Sequence, residues 1–174
     1  MKRFDRVGGG ADGIPQSRRM YASAMTLTER YDGEAGGSYL HVVQALEDNG
    51  GSGLADDLRQ LFRRAVFNLF VGNRDDHLRN HGFLLGPSGW RLAPAFDINP
   101  NPARDHHALT WDGVSDAADL EPLLGTAALY RLSAAEAATI VEHVRDVVSG
   151  WKALAAELDL PRAEVAMMAR SFRA

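Results

Sequence analysis

Leu54-Ala55-Asp56-Asp57-Leu58-Arg59-Gln60-Leu61-Phe62-Arg63-Arg64-Ala65-Val66-Phe67-Asn68-Leu69-Phe70-Val71 runs without a break into Gly72-Asn73-Arg74-Asp75-Asp76-His77-Leu78-Arg79-Asn80, and this junction decides the fold. Leu54, Leu58, Leu61, Phe62, Ala65, Val66, Leu69 and Phe70 fall on one side of an α-helix, at the spacing of a single apolar stripe. Asp56, Asp57, Arg59, Gln60, Arg63 and Arg64 take the other side, acidic residues first and basic ones later, the order that the helix dipole favours. The pattern predicts a scaffold helix over 54–71 that delivers the chain directly into a polar turn.

Downstream of that turn, the sequence predicts two short strands, 82–85 and 90–93, joined by Gly86-Pro87-Ser88-Gly89 as a hairpin. Pro94-Ala95-Phe96-Asp97 follows, then the proline-interrupted Asn99-Pro100-Asn101-Pro102, and a further strand is expected over 108–111. The remainder reads as helical. Ser133 and Glu136 form a capping box ahead of Ile140, Val141, Val144, Val147, Val148 and Trp151, and a last helix starts near Pro161 with Val165, Met168, Ala169 and Phe172. Upstream, Ser38 caps a short helix carrying Leu40, Val43 and Leu46, which Asn49-Gly50-Gly51 stops. Residues 8–37 are rich in Gly, Ser and Asp and read as mostly loop with short helical pieces. Residues 1–6 read as the end of a strand, so the chain opens as if cut from something larger. The expected class is mainly α (α+β), one unit over 1–174: a helical bundle with a small β-hairpin at 82–93.

Composition narrows the function classes. Apolar residues make up 45% and charged residues 24% of the 174 residues, ordinary values for a folded domain. A net charge of -4 and a pI near 5.8 provide no field that would draw nucleic acid or an anionic membrane, so neither is expected as a direct partner. Cysteine is absent, which excludes disulfides, thiolate zinc sites and cysteine nucleophiles. No apolar run approaches the roughly 18 residues of a membrane span, and the N-terminus lacks a signal-peptide core. A cytoplasmic protein is expected.

Three polar residues stand at the ends of predicted elements: Asp75 after the scaffold helix, Asn80 with four residues between, and Asp97 just past the hairpin. Phosphoryl transfer needs such a set. One carboxylate orients the attacking hydroxyl and accepts its proton, while an amide oxygen and a second carboxylate hold magnesium against the nucleotide phosphates. Magnesium takes few protein oxygens and leaves its other positions to water and phosphate. Asp-x4-Asn followed by a hairpin and an aspartate is also the order of the protein-kinase catalytic loop. Each residue alone is more simply a cap or turn former; the placement of all three favours a site.

Asn73-Arg74-Asp75-Asp76-His77-Leu78-Arg79-Asn80-His81-Gly82-Phe83-Leu84, with Gly89-Trp90-Arg91-Leu92-Ala93-Pro94-Ala95-Phe96-Asp97-Ile98, closely resembles the signature of HipA-like kinases. Arg3-Phe4-Asp5-Arg6 resembles that family's strand near the lobe junction, and Ala108-Leu109-Thr110-Trp111-Asp112-Gly113 its short strand after the metal aspartate. The resemblance implies the kinase-like C-terminal lobe of an ATP- and Mg2+-dependent protein serine/threonine kinase. It further implies the toxin of a type II toxin–antitoxin pair, with a DNA-binding antitoxin as partner and a protein of the translation apparatus as substrate. Asp75 would be the catalytic base, His77 a phosphate contact or loop brace, Asn80 and Asp97 the magnesium and nucleotide ligands, and Phe4 a neighbour of the adenine.

Two positions depart from the family pattern: Arg79 where lysine is common, and Asp76 where a small residue is common. The family's glycine-rich phosphate loop and ATP-binding lysine, which precede the Arg-Phe-Asp-Arg strand, have no counterpart here; Lys2 and Lys152 are the only lysines. The chain alone is therefore expected to bind nucleotide weakly, and two alternatives stand: a site completed by a separate N-terminal half, or a non-catalytic module that binds the antitoxin or such a half. A small-molecule kinase of related fold is a further alternative, since the loop does not distinguish one hydroxyl from another. His77 and His81 share helical zinc spacing, but Gly82 and the strand after it argue against a metal pair. His106 and His107 read as exposed, Arg30, Arg63, Arg64 and Arg131 as solvated faces, and Trp90, Trp111 and Trp151 as core.

Overall fold

The computed structural model describes residues 4–7 and 17–173. Its centre is the scaffold helix read from the sequence, α3, Leu54–Val71. Leu58, Leu61, Phe62, Ala65 and Val66 on its apolar stripe are fully buried. Against this stripe pack α2 (Tyr39–Asn49), α4 (Leu120–Gly125) and α5 (Ala134–Ser149). Caps set where two of these begin. Ser38 accepts from the Leu40 N–H while the His41 ring accepts from the Ser38 N–H, and Ser133 and Glu136 form the reciprocal pair read from the sequence.

On one side of the bundle lies a three-stranded antiparallel sheet of β3 (Tyr21–Ser23), β4 (Gly82–Gly86) and β5 (Gly89–Leu92), with β4 in the middle. Phe83 pairs with Leu92 and Leu85 with Trp90 around a two-residue Pro87-Ser88 turn. Phe83 points into the core, fully buried. Gly82 faces β3 so closely that a Cβ there would lie 2.4 Å from the Tyr21 ring. A smaller sheet pairs β1 (Arg6–Val7) with β2 (Ser17–Arg18). The short helix α1 (Ala24–Leu27) follows β3 directly, and α6 (Trp151–Glu157) and α7 (Arg162–Met168) close the chain.

Several expectations need correction. The region 8–37, read as mostly loop with short helical pieces, does contain the short helix α1 but also contributes β3; a three-residue strand has no periodicity of its own and exists because β4 supplies its hydrogen bonds. Residues 108–111 form no strand. Thr110 exchanges backbone hydrogen bonds with Tyr39 and Gly37, a single parallel bridge, and Trp111 is buried beside it. Trp151 begins a separate helix after Gly150 instead of extending α5, and it is half-buried against Phe172. Trp90 is likewise half-buried on the core. Arg64 is buried, not solvated, and donates to the Ala93 carbonyl at 2.5 Å. His107 is also buried, 5% exposed, and donates from Nδ1 to the Asn73 carbonyl. The strand expected over 1–6 begins at Arg6, with Phe4 and Asp5 in a turn before it; residues 1–3 and the glycines 8–10 lie outside the described residues.

Candidate active site

Gly72 ends α3 in the left-handed region, φ +66°, and its Cα lies where a Cβ would meet the Ser171 carbonyl at 2.6 Å. Glycine satisfies both demands at once. The chain then turns through Asn73 and Arg74, both buried, which fasten it to the segment after Asp97. Arg74 donates to the Asn101 carbonyl at 2.8 Å, the Asn101 N–H donates to Gly72, and the Ala108 N–H donates to Arg74. Two stretches far apart in sequence are thus sewn together along their backbones.

The next two residues face opposite ways. Asp75 is half-exposed, with the His77 Nε2 at 3.3 Å and the Arg104 guanidinium at 2.7 Å from the same carboxylate oxygen. Asp76 is 3% exposed and turns into the core. A single 3₁₀ turn, Leu78–Asn80, follows. It is closed by the Asn80 N–H donating to His77 O and by the Asn80 Oδ1 accepting from the His77 N–H at 3.0 Å. This leaves the Asn80 Nδ2 free to donate to Asp97 Oδ2 at 2.5 Å. Asp97 itself sits at φ +56°, a conformation aspartate tolerates better than most side chains. Its second oxygen accepts from Asn99 at 2.9 Å.

Asn80 and Asp97 therefore meet, and Asp75 and His77 lie on the same loop. Phe4 also reaches this neighbourhood: its ring stacks on Phe96, the residue before Asp97, with centroids 5.9 Å apart, and leans on Tyr21. Arg79 points to Asp32 and forms an ion pair with it. His77 and His81 do not converge, since His77 faces Asp75 and His81 faces Asp76. The donor types are those a divalent cation takes, although Asn80 turns its amide nitrogen, not its oxygen, toward Asp97. The Asn80 oxygen has a second lone pair beyond the one taken by the His77 N–H, and Asp97 adds carboxylate oxygens at an exposed position.

The sequence marked Asp76 only as a departure from the family pattern; its burial beneath this surface escaped that reading. Asp76 Oδ2 accepts from the Tyr39 hydroxyl at 2.5 Å, from Asn68 Nδ2 at 3.0 Å and from His81 Nε2 at 2.9 Å. Burial by itself would raise the Asp76 carboxyl. The neighbouring His81 and the hydrogen bonds from His81, Tyr39 and Asn68 outweigh it, holding the group below its ordinary value. Tyr39 is pushed well above its ordinary value by burial and by the adjacent Asp76 charge. Arg104, on the segment after Asp97, was also missed; no spacing links it to Asp75.

With this geometry in hand, likeness to known proteins becomes specific. Residues 1–151 match the profile of the HipA-like C-terminal domain, and the chain belongs to that family. Among curated proteins, it is 29% identical over 109 residues to "Putative kinase" of Haemophilus influenzae, which covers 58% of this chain and 31% of that protein. It is 30% identical over 102 residues to "Putative kinase Y4mE" of Sinorhizobium fredii, covering 56% of this chain and 24% of the other. The fold is similar to that in the structure of the Shewanella oneidensis HipA, HipB and operator DNA complex of a toxin–antitoxin system. There the TM-score is 0.68 at 17% identity, over 98% of this chain and 45% of the other. The chain thus spans less than half the length of that structure and about a third or less of the curated relatives.

Proposed function

We propose that this chain is the catalytic lobe of an ATP-dependent protein serine/threonine kinase acting as the toxin of a toxin–antitoxin pair. The observation that carries the reading is the contact between Asn80 and Asp97, 17 residues apart in sequence, with the exposed carboxylate of Asp75 on the same loop as Asn80. In the reaction, Asp75 orients the hydroxyl of a protein serine or threonine and takes its proton as the oxygen attacks the γ-phosphorus. The bond from that phosphorus to the β-phosphate oxygen breaks, and ADP leaves. His77, 3.3 Å from Asp75, braces the carboxylate or meets a phosphate oxygen. Magnesium, when bound by Asn80 and Asp97, neutralises phosphate charge. Phe4, on Phe96, offers an apolar edge to the adenine.

The phosphate-gripping loop and lysine of the family are proposed to come from an N-terminal kinase portion, in the same protein or a separate one. A DNA-binding antitoxin is the proposed partner, by analogy with the HipB of the structural neighbour, and a translation protein the proposed substrate. The test is phosphotransfer from MgATP, read as phosphoserine or phosphothreonine by mass spectrometry, with Asp75→Asn as control. Label that appears with the wild type and vanishes with the variant is expected; label that persists in the variant overturns the role of Asp75.

One observation favours a second reading, that of a non-catalytic interaction module. Arg104 covers Asp75 and Asn80 covers Asp97, so the polar groups satisfy each other without ligand. A wild type that binds antitoxin yet transfers no phosphate in the presence of the N-terminal portion would favour that module.

A further inference from the structure

The catalytic turn contains two interleaved pairs. Asp75 and Asn80 have four residues between them, and so do Asp76 and His81, shifted by one position. In the first pair Asp75 is exposed, while Asn80 is itself buried and turns its amide to Asp97. The second faces the core, where Asp76 and His81 are each 3% exposed and joined at 2.9 Å.

Three elements converge on the single oxygen Asp76 Oδ2: α2 through the Tyr39 hydroxyl, α3 through Asn68 Nδ2, and the entry to β4 through His81 Nε2. Asn68 also donates to the Tyr39 hydroxyl at 2.7 Å, so the donors are tied to one another. Tyr39 stacks on Trp111 and meets the edge of His81, which fixes the hydroxyl's direction. A buried carboxylate is costly unless fully hydrogen-bonded, and an apolar residue would fill the same space at lower cost. Burying a charge here makes sense if it sets a position that an apolar contact, being non-directional, does not set.

The geometry points to Asp76 and His81 as positioning residues: a buried clamp that fixes the separation of Asp75 and Asn80 in the catalytic turn. Each clamp residue is bonded through one peptide unit to a site residue, and successive Cα atoms lie about 3.8 Å apart, so the spacing of the inner pair is passed to the outer pair. The purpose given to the clamp rests on the kinase reading above; its existence as a device that holds the turn does not.

Replacements of His81 separate a clamp from simple packing. His81→Gln keeps a donor at the Nε2 position, whereas His81→Leu keeps volume and apolarity and removes the donor. A packing role is served by Leu at least as well as by Gln, and the clamp reverses that order. Two readouts on the wild-type chain and both variants decide it: hydrogen exchange at the His77 and Asn80 amides, and magnesium-dependent ATP affinity by calorimetry, with the N-terminal portion added if it proves necessary.

His81→Leu is expected to speed exchange at those two amides about tenfold, as loss of a hydrogen bond to a charged group would. It is expected to weaken ATP affinity by roughly 10- to 100-fold, while α3 and α5 exchange as before and Gln stays close to wild type. Equal behaviour of Leu and Gln, or a Leu variant with a protected turn and wild-type affinity, overturns the clamp. A wild type that binds no MgATP sinks the kinase reading instead, and exchange alone then decides the clamp. Should His81→Leu fail to fold, Tyr39→Phe removes one donor at nearly constant volume and is expected to move both readouts in the same direction by less; no movement in either overturns the clamp.

Discussion

The turn that carries Asp75 and Asn80 and the C-terminal helices are held to the same scaffold helix by opposite means. Around residues 72–81, direction comes from hydrogen bonds: Asn73, Arg74, Asp76, Asn80 and His81 are all buried and all engaged. Beside the same C-terminal end of α3, helices α6 and α7 contribute apolar side chains and few polar ties. Phe67, Val71, Ile98, Val148, Trp151 and Leu154 line an open groove of about 850 Å³ there, and no residue of α7 is buried. Leu158 is 62% exposed. Apolar contact stabilises in proportion to area and tolerates sliding, whereas a carboxylate with three donors has one arrangement. The molecule places directional bonds around the proposed site and leaves area to hold the rest.

Breaking each region should produce a different kind of loss. The largest effect is expected at Asp75, where replacement by Ala should lower phosphotransfer by about 10²- to 10⁴-fold, the usual worth of a positioned general base. Because that side chain is half-exposed, the melting temperature should barely move; a collapse of stability matching the loss of rate would make Asp75 structural. Next comes the scaffold. Phe62 is fully buried and packs edge-on against Tyr130, so Phe62→Ala should cost about 3–5 kcal/mol by chemical denaturation. A cost under 1 kcal/mol would mean that the α3 stripe is not the core.

A pH effect of similar kind belongs to His107. Burial lowers its pKa from 6.5 to about 4, so the folded protein holds it neutral while the unfolded chain takes up a proton. Its contribution is complete above pH 6.5 and is lost as pH falls toward 4, by at most roughly 3 kcal/mol. Urea unfolding between pH 4 and 7 should show this slope, and His107→Phe should flatten it. The smallest effect is expected in the tail: Leu158→Ser, at an exposed position, should change stability by no more than about 0.5 kcal/mol. A larger loss would show that the groove wall is better packed than its exposure indicates.

Legibility in the sequence followed the same division. The scaffold helix could be read because eight apolar positions repeat its period, and Asp75, Asn80 and Asp97 could be singled out as candidates because each follows an element that was itself readable. β3 could not, since Tyr21-Ala22-Ser23 becomes a strand only on the edge of β4. Nor could the burial of Arg64 and His107, whose partners are backbone carbonyls 29 and 34 residues away. The clamp did leave a trace, in the doublets Asp75-Asp76 and Asn80-His81 at one spacing. Its third and fourth members, Tyr39 and Asn68, lie on other helices and were invisible. The helical period of α7 was legible too, but a period does not say whether the face it defines is covered.

Magnesium-dependent ATP binding tests the central claim most directly, measured by calorimetry on this chain and on the chain joined to the proposed N-terminal kinase portion, each with and without Asp97→Ala. The account predicts binding that requires magnesium, strengthens when the N-terminal portion is present, and disappears with Asp97→Ala. Affinity that survives Asp97→Ala, or no binding in either form, would contradict it.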